Sequence, residues 1–156
     1  VSGPLSQGPA AEAGLDPEER GLLADPRLAE AIDLFNRGEW YACHDGLEAL
    51  WHETQGPVRP LLQGLLQVAV AQLHLERGNR HGATVLLGEG LGRLRRCGEQ
   101  GLAIDLERLR QSLNPWLQTL QSGGSTADLA PPRLEPAGQS PPVHWPGSPS
   151  CPEIRG

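Results

Sequence analysis

The chain has 156 residues and a net charge of −6, and its 13 basic residues are all arginine. That length bounds a single domain, and the acidic balance excludes a nucleic-acid binder, which needs clustered positive charge to neutralise phosphates. Cys43, Cys97 and Cys151 are odd in number and scattered, which argues against a disulfide framework and a CxxC zinc knuckle.

Residues 1–25 are rich in Gly, Pro, Ala and acid and read as a flexible arm, with one helix start inside it at Asp16-Pro17-Glu18-Glu19. A second start, Asp25-Pro26, leads into Leu28, Ala31, Ile32, Leu34 and Phe35 at helical spacing, and Gly38 ends that helix in the left-handed region. The next helix runs from Trp40 to about Thr54 and stops at Gln55-Gly56-Pro57. Leu61 to Arg77 is apolar almost all round, as an enclosed central helix is. It is also too short and too often interrupted by Gln and His to span a bilayer. Gly78-Asn79 closes it.

A fourth helix is predicted from Arg80 to Cys97, against the propensity of Gly88, Gly90 and Gly92. A further helix from Leu102 to Gln121 carries Leu106, Leu109, Leu113, Trp116, Leu117 and Leu120 on one face, and Pro115 should kink or split it. From Ser122 the chain holds eight prolines among Gly and Ser and reads as disordered, with His144 and Trp145 inside it. The expected organisation is an arm over 1–25, a helical domain over 26–121 and a tail over 122–156. The first residues carry neither a basic start nor an apolar run, so no secretory leader, a cytoplasmic location and no membrane contact are expected.

An internal repeat recurs at an offset of 40 residues: Ala31 to Glu39 aligns with Ala71 to Asn79, Cys43 with Ala83, and Leu47 with Leu87. Each copy reads as helix, Arg-Gly turn, helix. The fold class is therefore all-α, a compact multihelical bundle of two tetratricopeptide-like helical hairpins plus flanking helices.

A polar stripe crosses these apolar helices. His44, Glu48 and Trp51 are spaced 4 and 3, and Gln63, Gln67, Val70 and His74 advance by 4, 3 and 4, so each set shares one helix face. Buried polar groups need partners or cost about 1–3 kcal/mol each. Three readings stand side by side. One is a buried hydrogen-bond network centred on Glu48. Another is a small-molecule pocket walled by Trp51. The third is a metal or general-base site using His44, Glu48 and His74, a set that suits zinc or non-haem iron. His44-Asp45-Gly46-Leu47-Glu48 is not HExxH, and there is no GxGxxG, Walker loop or GxSxG. Arg93, Arg95 and Arg96 could bind an anion, but the helix C-terminus they occupy also favours positive charge, and that suffices to explain them.

Several motifs occur in order: Phe35-Asn36-Arg37-Gly38-Glu39-Trp40, His44-Asp45 with Glu48 and Trp51, Leu62-Gln63-Gly64-Leu65-Leu66-Gln67, and His74 with Gly78-Asn79-Arg80-His81-Gly82-Ala83. Together they resemble the bacterial and plastid family called domain of unknown function 309, with Asp45 standing where that family usually has Glu. The resemblance implies a compact multihelical domain and a shared stripe of His44, Glu48, Trp51, Gln63, Gln67, His74 and Asn79. It implies no reaction. The expected function is a non-enzymatic module that binds an unknown protein partner or a second copy of itself, with no cofactor. The alternative is an enzyme dependent on a divalent metal or small ligand.

Overall fold

The structure, a computed structural model, describes residues 14–138. The start of the expected arm and the end of the expected tail, including His144, Trp145 and Cys151, lie outside the described residues. Six helices hold 66% of what is described, which makes the fold all-α.

Asp-Pro pairs open the first two helices. Asp16 Oδ2 accepts from Glu18 N at 3.0 Å at the head of α1 (Pro17–Leu23), and Asp25 Oδ1 accepts from Arg27 N at 2.9 Å at the head of α2 (Pro26–Asn36). Each side-chain oxygen satisfies a backbone donor the helix leaves open. Gly38 takes φ +74° and turns the chain into α3 (Trp40–Glu53). Gly78, at φ +77°, does the same between α4 (Arg59–Glu76) and α5 (Arg80–Leu94).

The two turns share one hydrogen-bond pattern. Gly38 N donates to Phe35 O and Glu39 N to Leu34 O, as Gly78 N does to Leu75 O and Asn79 N to His74 O. These paired bonds satisfy the last carbonyls of α2 and α4.

Consecutive helices pack on one another from α2 through α5, and α6 (Leu106–Ser122) packs on α5. Leu28, Ile32, Phe35, Leu47, Leu62, Leu65, Leu87 and Leu91 are fully buried between them. Phe35 meets Trp40 edge-on at 5.0 Å across the first turn. Helices α4 and α5 approach closely where Gly64 and Gly90 face each other, so tightly that a Cβ on Gly90 would lie 3.1 Å from Gly64 O. Gly90 thus serves packing, which outweighs its poor propensity.

Three expectations change. The last helix starts at Leu106, because Gln100–Gly101 (β1) and Ile104–Asp105 (β2) form a small antiparallel hairpin before it. Leu102 and Ala103 take its turn at φ 52° and 61°, positions that glycine or asparagine usually fill. Leu102 is buried, and its amide donates to Glu19 Oε2 at 2.7 Å.

Pro115 does not split α6, because Leu113, Trp116 and Leu120 are buried on both sides of it and hold the helix in place. Packing also runs past both expected bounds of the helical domain. Glu18 accepts from Gln55 N and Gly56 N at 2.9 and 2.6 Å. On the other side, a strap near residues 130–137 crosses the bundle. Trp116 Nε1 donates to Ala130 O, Asn36 bonds both polar backbone atoms of buried Leu134, and Asp105 N donates to Glu135 O. Such anchors order a proline-rich segment that has no core of its own.

Candidate functional site

Helix α3 buries Trp40, Cys43, Leu47 and Leu50 and turns its other side outward. Tyr41 stands there 56% exposed, and the His44 and Glu48 side chains are 24% and 44% exposed. His44 Nε2 lies 3.4 Å from Glu48 Oε1, and His44 Nδ1 lies 3.4 Å from Asp45 Oδ1. Neither approach has hydrogen-bond geometry. Nδ1 is itself shielded from solvent and has no hydrogen-bond partner among the described residues. His52 Nε2 reaches the far oxygen of Glu48 at 3.8 Å, and the Tyr41 ring sits 5.6 Å from the His44 ring.

The ligand atoms of His44, Asp45 and Glu48 lie within 4.8 Å of one another. The sequence set paired His44 and Glu48 with His74; the structure puts Asp45 in that close group. His74 is not in that group; it sits in the last turn of α4, where its Nδ1 is 3.4 Å from Asn79 Nδ2, three residues before Arg77, whose guanidinium lies 5.8 Å from the Tyr41 ring centroid. Asn79 is the N-cap of α5, accepting from Gly82 N at 2.9 Å.

Trp51 forms a second group. The Arg59 guanidinium lies 4.0 Å from its ring centroid, Arg59 Nε donates to Trp51 O, and the His52 ring is 4.9 Å away. Stacking a guanidinium on indole is a favourable cation–π arrangement. The Trp51 Nε1 donor is shielded from solvent and has no hydrogen-bond acceptor among the described residues.

Gln67 turns the other way, toward α5, where its amide donates to Glu89 Oε1 at 3.1 Å and accepts from Arg93 Nε at 2.9 Å. Gln63 is half-buried on the same face of α4. Among the described residues, then, the stripe is divided among a His44–Glu48 group that His52 links to Trp51, a His74–Asn79 pair and a Gln67 group reaching α5, rather than forming one sealed network. Its members are half-exposed because α4 buries Leu61, Leu62, Leu65, Val68, Ala69 and Leu73 against its neighbours, and the Gln63–His74 line is the flank they leave partly open.

The polar residue that α4 does bury is Gln72, 5% exposed, whose Nε2 has no hydrogen-bond partner among the described residues. Sequence reasoning missed it, and it missed Asp45, Glu89 and Arg93 as partners. Asp45 is adjacent to His44 in sequence, a spacing that rarely faces one helical side chain toward the next. Buried Cys43 contacts Ala31 O through Sγ at 3.5 Å, and burial pushes its thiol up to about 12.

Residues 28–86 match the family model described as Domain of unknown function (DUF309). Over those residues alone the match agrees with the resemblance read from the sequence. The DUF309 segment runs from α2 into α5 and contains every stripe residue from His44 to Asn79, while Glu89 and Arg93 lie beyond it. No curated protein matches the chain.

Proposed function

We propose that this helical domain is a non-enzymatic binding module that takes a basic peptide segment of a protein partner on the outer face of α3. The supporting observation is the composition of that face: exposed Tyr41 and Asp45 beside partly exposed His44 and Glu48, with neither carboxylate paired to an arginine among the described residues and with one cation, the Arg77 guanidinium, already 5.8 Å from the Tyr41 ring centroid. An aromatic ring flanked by carboxylates complements cationic side chains.

The test is a heteronuclear NMR titration of the full chain with Arg- and Lys-rich peptides of scrambled sequence. Binding should shift the amides around Tyr41 to Glu48, weaken steeply with salt, and fall in Tyr41→Ala and in Asp45→Arg with Glu48→Arg. Shifts spread evenly over the acidic surface, or unchanged by the charge reversal, would refute it.

A second reading has its own observation. One imidazole and two carboxylates within 4.8 Å form a donor set that suits a divalent ion such as zinc or iron. Elemental analysis of protein purified without a His tag separates the readings. Less than about 0.1 metal per chain, with no thermal shift on adding zinc, iron or manganese, would sink the metal version. A zinc-dependent shift lost in Glu48→Gln but kept in Tyr41→Ala would support it.

A further inference from the structure

Away from the outer face of α3, a cleft of ≈ 350 Å³ opens between the start of α4, the end of α5, the head of α1 and β1. Pro57, Val58, Pro60 and Leu61 supply its apolar lining, and Arg93 and Arg96 are the two basic residues among those that line it. Arginines at a helix C-terminus usually serve the helix itself, compensating its dipole and its open carbonyls. Here another residue fills that role. Arg110 Nη1, from α6, donates to Leu94 O at 2.8 Å and to Gly98 O at 2.7 Å. Arg95, on the same turn, reaches Asn114 Oδ1 at 3.5 Å and does not line the cleft.

Arg93 commits Nε to Gln67 Oε1 at 2.9 Å, which fixes the side chain and leaves its terminal nitrogens available. Among the described residues, neither Arg93 nor Arg96 has a carboxylate ion-pair partner. Two carboxylates, Asp16 and Glu19, also line the cleft, yet both are committed to backbone amides. Asp16 Oδ2 accepts from Glu18 N at 3.0 Å, and Glu19 Oε2 accepts from Leu102 N at 2.7 Å. Arg93 and Arg96 therefore share the cleft with two carboxylates but form an ion pair with neither, which leaves their free N–H donors open to an anion from outside.

We propose that this cleft binds a small organic anion, its carboxylate or phosphate held by Arg93 and Arg96 and its apolar body against Pro57, Val58, Pro60 and Leu61. Guanidinium forks match the oxygens of either head group, and the cleft is near the lower end of the size range for ligand sites. The body it accepts is therefore about one ring in size.

The test uses the full chain, labelled with nitrogen-15, titrated with benzoate, phenyl phosphate and inorganic phosphate. At least one ring-bearing probe should produce saturable shifts at Gly101, Cys97 and the Arg96 side chain, and whichever binds more tightly identifies the head group. Arg96→Ala should weaken that probe about tenfold, equivalent to 1.4 kcal/mol, while Arg95→Ala should leave it within about twofold. Arg96→Lys keeps the charge, loses the fork and should bind weakly too, so it carries the test if the alanine variant misfolds. The proposal fails if neither ring-bearing probe saturates up to ~10 mM. It fails equally if inorganic phosphate binds as tightly as phenyl phosphate, or if Arg95→Ala costs as much as Arg96→Ala.

Discussion

Of the four glycines in helix α5, Gly88, Gly90 and Gly92 fall at alternate positions, and the structure gives these three opposite responses to the same substitution. Replacing glycine by alanine inside a helix is worth about 1 kcal/mol of propensity wherever the methyl group has room. At Gly88 and Gly92 an added Cβ would meet nothing within 4 Å, so both alanine variants should stabilise the protein by about 1 kcal/mol. At Gly90 the same atom would sit 3.1 Å from Gly64 O, 3.2 Å from Gln67 Cβ and 3.3 Å from Val68 Cγ2. Two of those are backbone or backbone-proximal atoms of α4 that cannot swing away. Overpacking of this kind costs about 1–3 kcal/mol.

Set against the propensity gain, Gly90→Ala should lose about 1 kcal/mol net. Urea unfolding followed by circular dichroism reads both signs. With a slope near 2 kcal/mol per molar, the midpoints should move apart by about 1 M between Gly88→Ala and Gly90→Ala. If Gly90→Ala stabilises as much as its neighbours do, α4 and α5 are not in close contact at that point, and the reasoning is wrong.

Other perturbations follow from single contacts. Glu18→Ala should cost about 0.5–1.5 kcal/mol in the same unfolding assay, because it removes the hydrogen bonds its carboxylate accepts from the exposed Gln55 amide and the part-buried Gly56 amide; an unchanged midpoint would mean that α1 does not hold that link. Arg27 lies between Asp25 and Glu53, and its hydrogen bonds hold both carboxyls below their usual range. A carboxyl whose pKa is depressed on folding contributes stability above its unfolded value, which is lost as pH falls. Arg27→Ala should therefore be less stable than the wild type at neutral pH. The gap should close as acid unfolding scans pass below about pH 4; a gap that widens in acid would contradict the sign. Cys43, with its thiol pushed up to about 12 by burial, should resist alkylation at mildly alkaline pH until denaturant is added, when peptide mass spectrometry should find it labelled. Labelling of folded Cys43 at the rate of an exposed thiol would refute that burial.

What was legible in the sequence was mostly local. Asp25-Pro26, Gly38 and Gly78 specify caps and turns through atoms a few residues apart, and those boundaries fall where the spacing puts them. The stripe's shared face was legible too, since helical periodicity places Gln63, Gln67 and His74 on one side of α4. Its burial was not, because which flank of α4 stays uncovered depends on where α3 and α5 pack, and periodicity does not contain that. Asp45 entered the His44 group through a neighbour contact that helical spacing rules normally discount. The hairpin before α6 was hidden for a different reason: Leu102 and Ala103 adopt a turn conformation their own chemistry disfavours, held by Glu19 from the other end of the domain. Likewise, Pro115 predicts a kink or a split, and the buried residues around it override the split.

The clamp between Asn36 and Leu134 sets a schedule for the nascent chain. Its two halves are 98 residues apart, so a ribosome adding about 5–20 residues per second delivers the second roughly 5–20 s after the first. By then α2 to α5 have all been synthesised, and their hairpins close on far shorter timescales. Throughout that interval the Asn36 amide must be hydrated, and the apolar surface that Leu134 finally covers lies open to water and to chaperones. The strap is thus a late seal on a body already formed, and the wait for it is the period in which the young protein is most exposed to misassembly.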